Sequence, residues 1–467
     1  MTDQTFLGTE PVGKLLKKLA IPAITAQLIN MLYNLVDRVY IGHIPTTGAL
    51  ALTGVGVCMP VIMLVSAFAA LVSMGGAPRA SIAMGEGKRE EAERLLGSCL
   101  TAQLVLSALL TAALLVWDRP LLLLFGASAN TIGYAADYMN IYALGTVFVQ
   151  VSLGMNAFVT AQGFAGVSMR TVLVGAVSNI ILDPIFIFGL EMGVRGAALA
   201  TILSQAISAV WVLCFLRGRR TLLRLRAATL RPDRRLLAGS MSLGLAPFIM
   251  QASESVIYVC FNASLLRYGG DIAVGAMTIL TSVMQMTMLP LQGLAQGAQP
   301  ISSYNFGARN AGRVRQVFLL LLKCCLIYSG AVWGAAMLFP RALAALFTDN
   351  AALIAFSARA LRIYMAASLI FGIQIACQMT FISIGSARSS VAVAVMRKFV
   401  LLLPLIWLLP RLMSDRTTAV YLAEPVADLL AVSFTAILFA VQFRRALAAL
   451  GQPDAPQKAV DGNRKRD

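Results

Sequence analysis

From Lys14 to Arg445 the chain is a succession of apolar runs near 20 residues long, separated by short polar or Gly/Pro breaks. Few folds accept that pattern. In a bilayer every backbone amide must be satisfied within its own segment or a closed barrel, so runs of this length are spanning helices. Twelve can be counted, over roughly 15–40, 50–76, 94–117, 134–159, 168–190, 195–217, 239–264, 273–297, 315–338, 356–381, 391–410 and 419–443. The breaks are too short to hold a soluble domain. Composition agrees: 58% of residues are hydrophobic, 13% are charged and the mean hydropathy is +0.78. The expected fold is therefore all-α integral membrane, with twelve transmembrane helices. Lys14, Lys17 and Lys18 precede a first run of full spanning length with no small-residue cleavage site after it, which reads as a retained helix rather than a signal peptide.

A net charge of +17 would suggest a nucleic-acid partner in a soluble protein. Here the basic residues punctuate the runs and collect on one side, which is a topology signal. That side holds Arg79, Lys88, Arg89, Arg94, Arg170, Arg309, Arg313, Arg315, Arg388, Arg397, Lys398, Arg444 and Arg445 as well as the N-terminal lysines. The connection after the sixth run is the most basic of all, from Arg217 to Arg235. Both termini and this connection are expected to be cytoplasmic. The seven cysteines lack zinc-ligand spacing and read as packing residues, with no disulfide.

The two sides of the basic connection resemble each other. Gly75-Gly76-Ala77-Pro78 matches Gly297-Ala298-Gln299-Pro300 at an offset of 300 − 78 = 222, and Gly85 then falls on Gly307 and Gly163 on Gly385. Pro22 matches Pro247 at the similar offset of 247 − 22 = 225. A duplicated six-helix unit follows, parallel because six is even, giving two bundles related by a pseudo-twofold along the membrane normal. The expected parts are a first bundle at 1–216, a basic linker at 217–238, a second bundle at 239–445 and a polar cytoplasmic tail at 446–467.

Carboxylates at membrane depth are costly unless they meet a cation, a proton or a polar cavity. Asp37, Asp183 and Glu254 are the sharp cases; Asp137, Glu424 and Asp428 are read as nearer outer helix ends, within reach of water. Asp37 and Asp183 fall at similar depth in the first bundle and, if they face each other, suit a shared proton or a bound Na⁺. Asn179 lies one turn from Asp183 on the same helix face, and Asn156 and Thr201 supply neutral oxygens near that level. Pro184 removes a hydrogen bond to the Ile180 carbonyl. Pro22, Pro184 and Pro247 are the candidate hinges. A buried polar network that only fixes helix packing is the plain alternative for the five polar residues.

The motifs Gly75-Gly76-Ala77-Pro78 with Gly85-Glu86-Gly87, Gly297-Ala298-Gln299-Pro300 with Asn305-Phe306-Gly307-Ala308, and Asn34-Leu35-Val36-Asp37 with Tyr40-Ile41-Gly42 resemble those of multidrug and toxic compound extrusion (MATE) transporters of bacterial type. The resemblance implies efflux of organic, often cationic, drugs or metabolites in exchange for H⁺ or Na⁺, by alternating access of two bundles in a bacterial inner membrane. It also implies a cation site at Asp37, Asn156, Asn179, Asp183 and Thr201. Glu254 resembles a glutamate that another branch of the family uses for cation or substrate, although its acidic partner in the tenth helix is missing from Gln374-Ile375-Ala376-Cys377-Gln378. Gln251, Glu254, Tyr258 and Met286 are the candidate substrate contacts, a polarizable wall for amphipathic cations. The chain is expected to act as a monomer in the lipid bilayer, with no nucleic acid and no cofactor beyond the coupling ion. A lipid-linked precursor flippase is the second transport reading; it needs a cationic central cavity, whereas the basic residues cluster at helix ends and no mid-helix Arg pair is evident. A membrane enzyme finds no support in the single histidine, His43, and no Walker-type phosphate loop is present.

Overall fold

The computed structural model describes residues 6–450. Residues 1–5 and 451–467, the latter most of the expected polar tail, lie outside the described residues. The first six spans are α1 (Val12–Gly42), α2 (Gly48–Gly85), α3 (Arg89–Val116), α4 (Ile132–Leu144 with Thr146–Ala161), α5 (Ala165–Pro184, continued by a π-helical turn Ile185–Gly189) and α6 (Val194–Arg217). One continuous assignment, Arg234–Gly307, holds the next two, α7 (234–269) and α8 (271–307). They meet at Gly270, whose φ of 66° and ψ of −163° suit glycine alone. The last four are α9 (Ala311–Leu338), α10 (Ala351–Tyr364 with Ser368–Ser383), α11 (Ala387–Val395, a π-helical turn Met396–Leu402, then Leu403–Leu412) and α12 (Arg416–Leu450).

Among the described residues twelve spans result, because two bent pairs each form one and Arg234–Gly307 supplies two. The repeat extends to irregularities that hydropathy cannot show. Both fourth helices of the halves are broken, by 57° in α4 and 50° in α10, and both fifth helices carry a π turn. The α4 break replaces the single run expected over 134–159. It sits at Gly145, where Ile202 of α6 fills the space a β-carbon would need.

Each bundle has its apolar core in two clusters. In the first, one joins Val55, Tyr138 and Ile187, the other Val72, Leu96 and Phe158. In the second, Phe261, Leu361 and Leu402 form one, and Leu321, Phe381, Val393 and Phe439 the other. The basic connection is also folded onto the first bundle: Leu223 and Leu225 enter its core, and Gln162 Oε1 accepts from Thr221 Oγ1 at 2.8 Å and from the amides of Leu222 and Leu223 at 2.9 and 2.8 Å.

Between the bundles the contact on the basic side combines an apolar cluster, in which Leu15, Leu16 and Leu19 of α1 join Leu291 and Ile301 of α8, with close glycine approaches. A β-carbon on Gly75 would strike the Ser240 carbonyl of α7, and one on Gly244 the Leu71 carbonyl of α2. Gly85 meets Tyr304 of α8 in the same way, and Gly307 meets Ile82. The duplicated glycine motifs are thus the places where the halves touch backbone to backbone. The N-terminal turn Phe6–Thr9 adds a strap, since Arg313 donates to the carbonyls of Leu7 and Glu10 at 3.1 and 2.7 Å.

Candidate functional site

In the first bundle α1 and α5 bring Asp37 and Asp183 together. The two carboxyls face each other within hydrogen-bonding range. Asn179 Nδ2 donates to Asp183 Oδ1 at 3.3 Å, as expected of residues one turn apart. Asp183 and Asn179 are buried, with 0% and 1% of their surface exposed. Asp37 Oδ1, Asp183 Oδ2 and Asn179 Oδ1 are buried acceptors with no donor among the described residues. A buried acceptor left without a donor costs about 1–3 kcal/mol. Three side by side make a place where a proton or a hard cation is favourable.

Thr201 is one step removed, beside Tyr138, which lies near Asp37. Asn156 turns the other way. Its Nδ2 donates to the Ser168 carbonyl at 3.4 Å, and it lines a narrow cleft with Asn30, Tyr33, Thr171, Gln205 and Ser208. Tyr33 and Tyr138 are the site residues that sequence reasoning missed; Tyr33 lies near both aspartates and Tyr138 near Asp37. Beyond Pro184 the helix does not break. It widens into the π turn, in which the Leu190 amide donates to the Ile185 carbonyl at 2.8 Å. Pro22 and Pro247 sit inside α1 and α7 without interrupting either.

The second bundle departs from expectation. Arg397 and Lys398, counted above with the cytoplasmic charges, are buried inside α11 at its π turn. Starting from Ala387, a rise of about 1.5 Å per residue puts them about 15 Å along the helix, near the middle of a bilayer core. Glu424 and Asp428 are also buried rather than water-facing. Arg397 Nε donates to Asp428 Oδ1 at 2.7 Å and its terminal nitrogen to Glu424 Oε1 at 2.9 Å. The guanidinium lies over the Phe371 ring at 4.7 Å. Lys398 Nζ donates to Glu254 Oε1 at 2.6 Å. Glu254 is the open end of this cluster, with 53% of its side chain exposed. Gln251, Glu254 and Tyr258 share a face of α7, and Met286 is exposed on α8. A mid-helix basic pair therefore exists, but each cation is neutralised by carboxylates, so it does not form the cationic cavity a flippase would need.

The MatE family model matches residues 22–185 and 247–408, one copy in each bundle. The chain belongs to the MatE family. Among MatE relatives, "Multidrug export protein MepA" of Staphylococcus haemolyticus is 23% identical over 433 residues, covering 92% of this chain and 95% of that protein. The solved structure described as "MATE in the bent conformation" superposes with a TM-score of 0.90 at 22% identity, over 97% of this chain and all of that one. A ligand complex of the "MATE multidrug transporter DinF-BH" is 34% identical, with a TM-score of 0.87 over 94% of this chain and 98% of the other. The chain is thus a multi-pass membrane transporter of the MatE multidrug-export family, with that family's two-lobed fold of twelve helices.

Proposed function

We propose that this transporter is a secondary antiporter that exports amphipathic organic cations in exchange for H⁺ or Na⁺ bound between Asp37 and Asp183. The observation that carries the reading is the group of unpartnered acceptor oxygens on Asp37, Asn179 and Asp183, two of them on carboxyls that face each other. An ion or proton there neutralises charge that otherwise repels within the first bundle. Only a difference in ion binding between two states can shift their balance, so the site drives transport if it favours one access state. Substrate is taken up on the basic side, read as cytoplasmic, and meets Gln251, Glu254 and Tyr258 of α7 and Met286 of α8. Relatives described as a multidrug export protein and a multidrug transporter support a cargo of varied small molecules. The protein acts as a monomer in a bacterial inner membrane.

Reconstituted vesicles with an imposed H⁺ gradient or an imposed Na⁺ gradient, tested separately, should show efflux of a fluorescent lipophilic cation with one of the two. Asp37→Asn and Asp183→Asn should each abolish it while leaving the protein monodisperse. Ion-driven efflux retained in both variants would sink the reading.

A further inference from the structure

The buried charges of the second bundle do not balance. Lys398 is engaged by Glu254, at the exposed end of the cluster. Behind that pair one guanidinium faces two carboxylates, with 7%, 6% and 3% of the side chains of Arg397, Glu424 and Asp428 exposed. Arg397 keeps its charge at any accessible pH. With both acids ionised the group would carry one uncompensated negative charge in the protein interior, a state that costs several kcal/mol. Two carboxylates sharing one partner relieve this by holding a proton between them.

The surroundings offer no other remedy. Glu424 and Asp428 are four residues apart on one face of α12, so the backbone keeps them together. From α10 the neighbours are Phe371, a neutral ring, and Tyr364, whose hydroxyl lies within the field of all three acids. From α7 comes Glu254, a further negative charge. Lys398 also acts on Glu424 but is held by Glu254. A sodium ion would need several free oxygens, and each acid already gives one to Arg397.

We propose that Glu424 and Asp428 together bind one proton at Arg397, a protonation site separate from the Asp37–Asp183 pair. It has no counterpart in the first bundle, where the equivalent π turn follows a carboxylate instead of carrying two cations. Proton stoichiometry in this transporter would then have a contribution from each bundle.

The test uses the full chain in lipid nanodiscs with Asp37→Asn and Asp183→Asn already in place, so the first site is silent. Infrared spectra at neutral pH should show the carbonyl stretch of a protonated, buried carboxylic acid. Adding Glu424→Gln or Asp428→Asn should remove the band, in at least one of the two variants, from protein that still elutes as a single species. No such band, or a band unchanged in both variants, would overturn the proposal. So would loss of the band on adding Na⁺ at constant pH, since that outcome assigns the site to a cation. Because Asp37 and Asp183 are absent throughout, failure here leaves the coupling role of those two residues untouched.

Discussion

A carboxylate in a bilayer announces itself in a sequence because nothing else explains why it is tolerated. Asp37, Asp183 and Asn179 were legible for that reason, and the structure sets them against one another. Asn179 provides a direct check on the site. Its amide is the donor to Asp183, and at 3.3 Å the bond is long, so the low end of the range of about 1.5–3 kcal/mol for a hydrogen bond to a charged group applies. That bond favours the ionised carboxylate, so Asn179→Ala should strengthen proton binding about tenfold, read as a lower proton concentration for half-maximal efflux; an unchanged value would remove Asn179 from the site. Tyr33 and Tyr138 were not legible, because tyrosine in a membrane protein ordinarily marks the interface. Arg397 and Lys398 were misread for a different reason. With a span expected to begin near 391, two basic residues within its first turns count as loop charge. The acid partners of Arg397 lie on α12, about thirty residues further on, and that of Lys398 lies on α7; no periodicity links these helices.

At the scale of elements, the pattern of apolar runs carries helix number and order but not helix shape. The breaks in α4 and α10 and the π turns in α5 and α11 occur inside runs that hydropathy reads as uniform. At two of them a tertiary contact coincides with the irregularity: Ile202 of α6 over Gly145, and the buried Arg397 at the α11 π turn. The basic linker was legible as a topology marker only. Its leucines turn inward, and its backbone is held by side chains of the first bundle, Gln162 at Leu222 and Leu223 and Glu93, Ser98 and Thr101 further along. Gln162→Leu should lower the thermal stability of the purified protein, since each donor it orphans costs about 1–3 kcal/mol. Thermal unfolding at the wild-type temperature would show that water replaces the amide at no cost.

Across the whole molecule, the seal between bundles on the basic side rests on Gly75, Gly85, Gly244 and Gly307. Gly244→Leu places a branched side chain where α2 and α7 touch. Overpacking of this kind costs about 1–3 kcal/mol. Because the clash exists only while the bundles are closed, it shifts the balance toward the separated state by about 5–150-fold. Distances between spin labels on the basic-side ends of α2 and α8 should lengthen in Gly244→Leu; an unaltered distribution would show that the contact does not set the balance.

That interface also differs in kind from the interior of either bundle. Within a bundle, side chains interlock, and pulling two helices apart means repacking many of them. Where glycine meets a carbonyl there is no knob to withdraw from a hole. Those contacts can part and meet again without a rotamer change of their own, as two smooth plates do. The duplicated motif that first revealed the repeat therefore lies along the one seam that opening and closing would wear least.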